Sequence, residues 1–334
     1  MRDQFSRSLY QIAKARPNVF IVVADISAAG SMKPFRDDFP DRFVNVGVAE
    51  QSMIGLCAGL ALRGATAFAY SIATFSVYRP FEQIRVDLCY QELPVTVVGI
   101  GGGVAYSTLG GTHHTQEDIG VLSALPNMGI VAPCDPLETD AATWACAERK
   151  GPTYLRLGKA GEPTLTADAP DPFVFGKVRT IKPGNDVCLL SYGPIMKMAF
   201  DVADSLERDR GLSTAVVSVH TLKPLDAEGL AELLHRYPTV AVIEEHSQQG
   251  GLAAQVKQIA WEHRAPCKLH TFSLKDAFIH AYGSHADVLR AHGLAAPLIL
   301  EKMVSSLSGK EYPHGGNQPH GALSTLPAPH RRAG

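Results

Sequence analysis

Two hydrophobic spacings alternate along most of the chain. Residues 3–15 place Phe5, Leu9, Ile12 and Ala13 on one helical face. A continuous apolar run, Asn18–Ala24, then reads as a buried strand ending at Asp25. Similar runs predict strands at 66–70, 95–100, 129–132 and 153–157. Helical spacing predicts helices at 52–62, 80–91, 116–124 and 136–148. Apolar strands alternating with helices imply a parallel sheet covered on both faces. A second series follows, with strands at 187–192, 214–219, 240–244 and 268–272 and helices at 194–207, 226–236, 250–263 and 284–292. The expected fold class is α/β, with two doubly wound domains and no internal sequence repeat between them.

Residues 159–175 are rich in proline and polar side chains and read as a linker. The domains are therefore expected at 1–158 and 176–305. From 306 to 334 the composition turns to Gly, Pro, His and Ser, a tail expected to be disordered. Its His314, His320 and His330 read as solvated, and no metal site is assigned to the chain.

The 334 residues are 46% hydrophobic and 19% charged, which suits two ordinary globular cores. A net charge of −2 gives no electrostatic reason for nucleic acid or an anionic membrane as partner. None of the six cysteines forms a CxxC pair, and most lie in apolar runs, as buried thiols do in a reducing compartment. The N-terminus has no apolar signal core, and no stretch approaches a charge-free membrane span. A cytoplasmic protein is expected.

Four stretches carry candidate chemistry. In Val44–Met53 a small-residue turn enters an apolar helix with one carboxylate, Glu50, at its entrance. Helix N-termini favour ionised carboxylates, so a dipole-complementing glutamate is the plain reading. In Thr74–Arg85 the aromatics Phe75, Tyr78 and Phe81 recur every third residue, as a core stripe would. Gly101–Asp118 holds a glycine run and then Gly111-Thr112-His113-His114. It is no dinucleotide fingerprint, which belongs to a first βα turn opening directly into a helix. Lastly, Arg156 stands at the end of the strand in Gly151–Gly158, suited either to an oxyanion or to a domain-interface ion pair.

Taken together and in this order, the stretches resemble the pyrimidine-binding domain of thiamine-diphosphate enzymes of the transketolase family. Segments His220–Asp226 and Val242–Leu252 resemble that family's C-terminal domain. The resemblance covers roughly residues 1–305. It implies that Glu50 hydrogen-bonds N1′ of the cofactor's aminopyrimidine and shares a proton with it. Phe75, Tyr78 and Phe81 would enclose that ring, and Asp25 would join the cofactor-binding set. His113 would face the reacting carbonyl, with His114 where glutamine is usual and Arg156 on a substrate phosphate. The implied reaction moves a two-carbon ketol unit from a ketose to an aldehyde.

The chain contains no Gly-Asp-Gly, the motif that holds Mg²⁺ and the cofactor diphosphate in full-length relatives. The resemblance therefore implies the C-terminal subunit of a split enzyme. A separate diphosphate-binding subunit would complete it, in an expected α₂β₂ assembly. Leu109 stands where the family carries a hydroxyl-reading aspartate, and Gly101–Gly103 replaces a pocket histidine. A leucine accepts no hydrogen bond, so a modified or deoxygenated sugar is the expected substrate. The rival readings are a 2-oxo-acid dehydrogenase β subunit, a deoxyxylulose-phosphate-synthase-like enzyme, a non-catalytic assembly subunit and a nicotinamide oxidoreductase. The usual His-Ser-Gln segment of the first and the fingerprint of the last are missing.

Overall fold

The computed structural model describes residues 1–26, 30–280 and 282–307. The strands are β1 (Val19–Val23), β2 (Phe43–Asn45), β3 (Thr66–Ile72), β4 (Val95–Ile100), β5 (Gly129–Val131), β6 (Thr153–Leu157), β7 (Arg179–Lys182), β8 (Val187–Ser191), β9 (Thr214–Ser218), β10 (Thr221–Lys223), β11 (Thr239–Ser247) and β12 (Lys268–Leu274). The helices are α1 (Arg2–Ala15), α2 (Lys33–Asp38), α3 (Glu50–Leu62), α4 (Ala73–Val77), α5 (Phe81–Gln83), α6 (Asp118–Ser123), α7 (Pro136–Glu148), α8 (Met196–Arg210), α9 (Ala227–Arg236), α10 (Leu252–Glu262), α11 (His285–Ala291) and α12 (Ala296–Leu307).

Among the described residues the strands form two sheets, ordered β10-β5-β6-β4-β3-β1-β2 and β12-β11-β8-β9-β7. Every pairing is parallel except β10 with β5 and β7 with β9. Successive side chains of β1 and β4 enter opposite cores. Val19, Ile21 and Val23 join α1 on one face, while Val95 and Val97 join α3 on the other. Both faces are thus apolar, which gives the strands their unbroken hydrophobic runs. Helix α1 buries Phe5, Leu9 and Ile12 on one stripe, each worth about 1.5–3 kcal/mol when fully covered.

Most expected elements lie within a few residues of their predicted places. The helix at 136–148 matches in full because Pro136 opens it and Asp135 caps it, accepting from Glu138 N. The predicted helix 80–91 instead splits into a single α turn and a π-helical stretch, Ile84–Tyr90. Strands β2, β7 and β10 and helices α2, α4 and α12 were not expected. Helix α12 takes residues 306 and 307 out of the predicted tail. The rest of that tail lies outside the described residues.

The linker 159–175 forms neither helix nor strand. Strand β10 lies beyond it in sequence, yet it extends the first sheet along the edge of β5. One apolar cluster also runs from α3 and β4 through Leu222 into β8, β9 and α10. The halves are therefore knit together through both a sheet and a core.

Candidate active site

The first sheet delivers its chemistry at the carboxyl ends of its parallel strands, where open α/β sheets hold their ligands. After β2, Gly47 adopts φ +71, a left-handed turn that glycine makes without strain. Asn45 braces this turn: its Oδ1 accepts from Asp25 N at 3.2 Å and from Gly47 N at 2.9 Å. The chain then enters α3 with Glu50 as its first residue, nearly buried. Asp25 sits exposed at the end of β1 with φ +50.

Helix α4 follows β3 and carries Phe75 to the same rim. Arg79, just beyond, joins the two. Its guanidinium lies 4.1 Å from the Phe75 ring centroid and donates to Glu50 Oε1 at 2.6 Å. His113 ends a short 3₁₀ turn after β4, its ring edge-on to Phe75 at 5.1 Å. Thr112 Oγ1 lies 2.9 Å from His113 Nδ1 and so fixes the orientation of the ring. Burial, and then the Arg79 charge, hold the His113 pKa below its ordinary 6.5, leaving a neutral imidazole at neutral pH.

The structure thus brings Glu50, Phe75 and His113 together. Tyr78 and Phe81 differ: both pack against the apolar core. Tyr78 donates its hydroxyl to Glu117 Oε2 at 2.8 Å, and burial raises its pKa well above the usual range.

Two expected substrate contacts are corrected. Arg156 is buried in the domain interface, its Nε on Asp118 Oδ2 at 2.7 Å and its Nη2 on Glu245 O at 3.0 Å. Tyr154 donates to the same Asp118 oxygen at 2.8 Å. A guanidinium enclosed and committed in this way fits the interface ion pair, not a phosphate site. His114 is likewise enclosed, its Nε2 without a hydrogen-bond partner. Burial lowers its pKa against the opposing pull of Glu245 in the second domain.

Besides Arg79, a second cation near the rim is Lys159, three residues beyond Arg156 and exposed. Its Nζ lies 5.0 Å from the Tyr106 ring centroid, and that ring is 5.9 Å from His113. No carboxylate pairs with it among the described residues. Lys159 also borders an interdomain cavity of about 660 Å³, lined in part by Gly102, Ser107, Lys197, Glu245 and His285. Nothing in the local sequence marks Arg79 or Lys159. Arg79 lies inside the aromatic stretch and Lys159 at the start of a polar linker.

The site suits one side of a flat, nitrogen-bearing ring. Arg79 itself stands in for such a group, a planar donor stacked on Phe75 and bonded to Glu50. Residues Glu50 and Phe75 therefore fit an aminopyrimidine. Among the described residues, no three His, Cys, Asp or Glu side chains group as a metal site. No helix among them is long and apolar enough to cross a membrane.

A doubly wound pair of domains with this rim defines the pyrimidine-binding half of a thiamine-diphosphate enzyme. Residues 1–161 match the pyrimidine-binding domain of transketolase, and 176–299 match its C-terminal domain. The chain belongs to the transketolase family, and transketolases depend on thiamine diphosphate. It is 34% identical to one of the subunits of apulose-4-phosphate transketolase from Actinobacillus succinogenes, over 85% of this chain and 91% of that one. It is 32% identical to a 6-deoxy-6-sulfo-D-fructose transketolase subunit from Clostridium sp., over 83% and 85%. Against 1-deoxy-D-xylulose-5-phosphate synthase of Oleidesulfovibrio alaskensis it is 30% identical, but covers 48% of that protein. A split-gene transketolase solved as an inactive β4 tetramer superposes with a TM-score of 0.81 at 31% identity, covering 93% of this chain and 98% of that one.

Proposed function

We propose that this subunit contributes the pyrimidine-side half of an active site that transfers a two-carbon ketol unit from a ketose to an aldehyde. The observation that carries this reading is the convergence of Glu50, Phe75 and His113 on one rim. A separate subunit supplies the groups for Mg²⁺ and the diphosphate, and the working assembly is α₂β₂. The inactive β4 form of the related split-gene transketolase supports the need for that partner.

Thiamine diphosphate, when bound, supplies the nucleophilic carbon and electron sink for breaking and making the carbon–carbon bond. Glu50 holds a proton at ring nitrogen N1′, replacing its present bond to Arg79. Phe75 stacks on the ring, and Asp25 lies at the neighbouring strand end. His113 hydrogen-bonds the substrate oxygen at which charge develops, the kind of contact that strengthens in a transition state. Lys159 takes the distal anionic group of the substrate, the role its exposed ammonium at the rim suits.

The substrate is a sugar other than the ordinary pentose phosphates. Leu109, four residues before His113 and half-exposed, offers that sugar a methyl surface and no acceptor. The relatives named for apulose 4-phosphate and 6-deoxy-6-sulfofructose support this reading.

Thiamine-diphosphate and Mg²⁺ binding, measured by calorimetry on the chain alone and then with its partner subunit, tests the proposal. Tight binding only to the pair is expected, followed by ketol transfer in a substrate screen. Tight binding by the chain alone would overturn the shared site. Release of CO₂ from pyruvate would instead favour the deoxyxylulose-phosphate-synthase reading.

A further inference from the structure

We propose that Glu245, in the second domain, is a positioning residue for His113, so that the second domain sets the geometry of a site built on the first. This rests on the role proposed above for His113. Glu245 lies on β11 and is buried. Its Oε1 accepts from Val104 N at 2.7 Å and pairs with His285 Nε2 of α11 at 2.8 Å. Val104 begins the loop that carries His113.

The loop rests directly on this carboxylate. Gly103 has φ +72, and a Cβ there would meet Glu245 Oε1 at 2.4 Å. Only glycine permits so close an approach. Gly103 in turn pairs with Thr115, donating at 3.0 Å and accepting at 2.7 Å, which closes the loop into a ring. The far end is held by the same strand, since Ser247 N donates to Gln116 O at 2.7 Å. Arg156 Nη2 fastens the Glu245 carbonyl at 3.0 Å. Both feet of the His113 loop therefore stand on Glu245–Ser247.

Between the feet the backbone bonds are local. Leu109 N donates to Tyr106 O, and His113 N and His114 N donate to Gly110 O. A loop bonded mainly to itself moves about its anchors as a unit. Where the ring of His113 sits relative to Phe75 and Glu50 then depends on where Glu245 holds Val104. A misplacement of about 1 Å costs on the order of 10²-fold in rate.

The test uses the full chain assembled with its partner subunit and cofactor. Glu245→Ala is expected to lower kcat about 10- to 100-fold while cofactor affinity stays within about twofold, because Glu50 and Phe75 ride on other elements. Hydrogen–deuterium exchange should rise across 101–117 and stay unchanged across 50–62. Glu245→Gln keeps an oxygen acceptor for Val104 N and should restore kcat to within about threefold of the parent. An alanine variant with parental kcat overturns the inference, as does one that loses kcat and cofactor affinity in parallel. Should it fail to fold, His285→Ala is read instead, with a fall in kcat of about threefold expected and no fall overturning the inference. His113→Ala serves as the control. If it leaves kcat intact, the role of His113 itself has failed, whatever the exchange data show.

Discussion

The guanidinium of Arg79 donates to the carboxylate of Glu50 at 2.6 Å, from a position stacked over Phe75. On the function proposed above, the same carboxylate and the same ring are the ones an aminopyrimidine would take. Arg79 and the cofactor could not both hold them, so cofactor entry would displace the arginine.

Removing that competitor should favour binding. The Arg79 side chain is about half exposed while Glu50 is nearly buried. A pair of this kind is worth about 0.2–1 kcal/mol, which corresponds to a factor of up to about five. Arg79→Met in the assembled enzyme is expected to bind thiamine diphosphate more tightly by up to about that factor, as read by equilibrium titration. Weaker binding would show that Arg79 helps to hold the cofactor. Glu50→Ala, in contrast, should lower kcat by about 10²–10⁴-fold, the usual weight of a proton-transfer group.

His113 makes a pH prediction. Burial and the Arg79 charge hold its pKa below 6.5. As pH falls, the imidazole therefore stays neutral past the point where a free histidine would take a proton. If the neutral form is the working one, the acid limb of kcat/KM lies below pH 6.5. His113→Asn should remove that limb along with most of the activity. A limb above 6.5 in the parent enzyme would contradict the assignment.

The framework was readable because its determinants are local. Valine- and isoleucine-rich runs such as Val95–Ile100 are buried on both faces and could scarcely be anything but interior strands. Pro136 behind Asp135 fixed the start of α7. Strand β10 was not readable, since three residues carry no period and its partner β5 lies in the other domain. In α12, Ile299 and Met303 are spaced as one helical face, but a polar, glycine-rich sequence follows directly and obscures the helical period. The site divides the same way. The motifs around Glu50 and His113 announce themselves by resemblance. The work of Glu245 depends on a contact with Val104 across 141 residues, which no local pattern encodes. Arg156 was ambiguous in sequence because a strand-end guanidinium suits a phosphate and a carboxylate equally well. The buried Asp118 opposite it favours the carboxylate pair.

Arg156 and Lys159 should accordingly respond to mutation in different ways. Arg156→Met leaves the carboxylate of Asp118 buried without its guanidinium, and breaking such a pair costs about 3–5 kcal/mol. Thermal melting should show the loss directly. Lys159→Ala removes an exposed side chain and should leave the melting temperature nearly unchanged, within about 0.5 kcal/mol of stability. Its effect is expected in KM for an anionic substrate, raised about tenfold or more, as loss of a charge-assisted contact of about 1.5–3 kcal/mol would give. An unchanged KM would mean that the anionic group is held elsewhere.

Leu109 offers the sharpest test of substrate choice. The side chain is 50% exposed on the turn that leads to His113, so substitution there disturbs no core. An aspartate at 109 would present an acceptor to a substrate hydroxyl, and a site that pairs a hydroxyl discriminates against sugars that lack it. Leu109→Asp is therefore expected to raise kcat/KM for xylulose 5-phosphate and ribose 5-phosphate relative to the native substrate pair. A gain of about 1.5–3 kcal/mol in relative preference, or roughly 10- to 150-fold, is the scale that one hydrogen bond to a charged group supplies. The melting temperature of the variant should match the parent. A parent enzyme already fully active on the two pentose phosphates would refute the reading of Leu109, because the leucine would then exclude nothing. A variant whose preference stays with the native pair would place hydroxyl recognition on another residue of the Gly101–His113 loop.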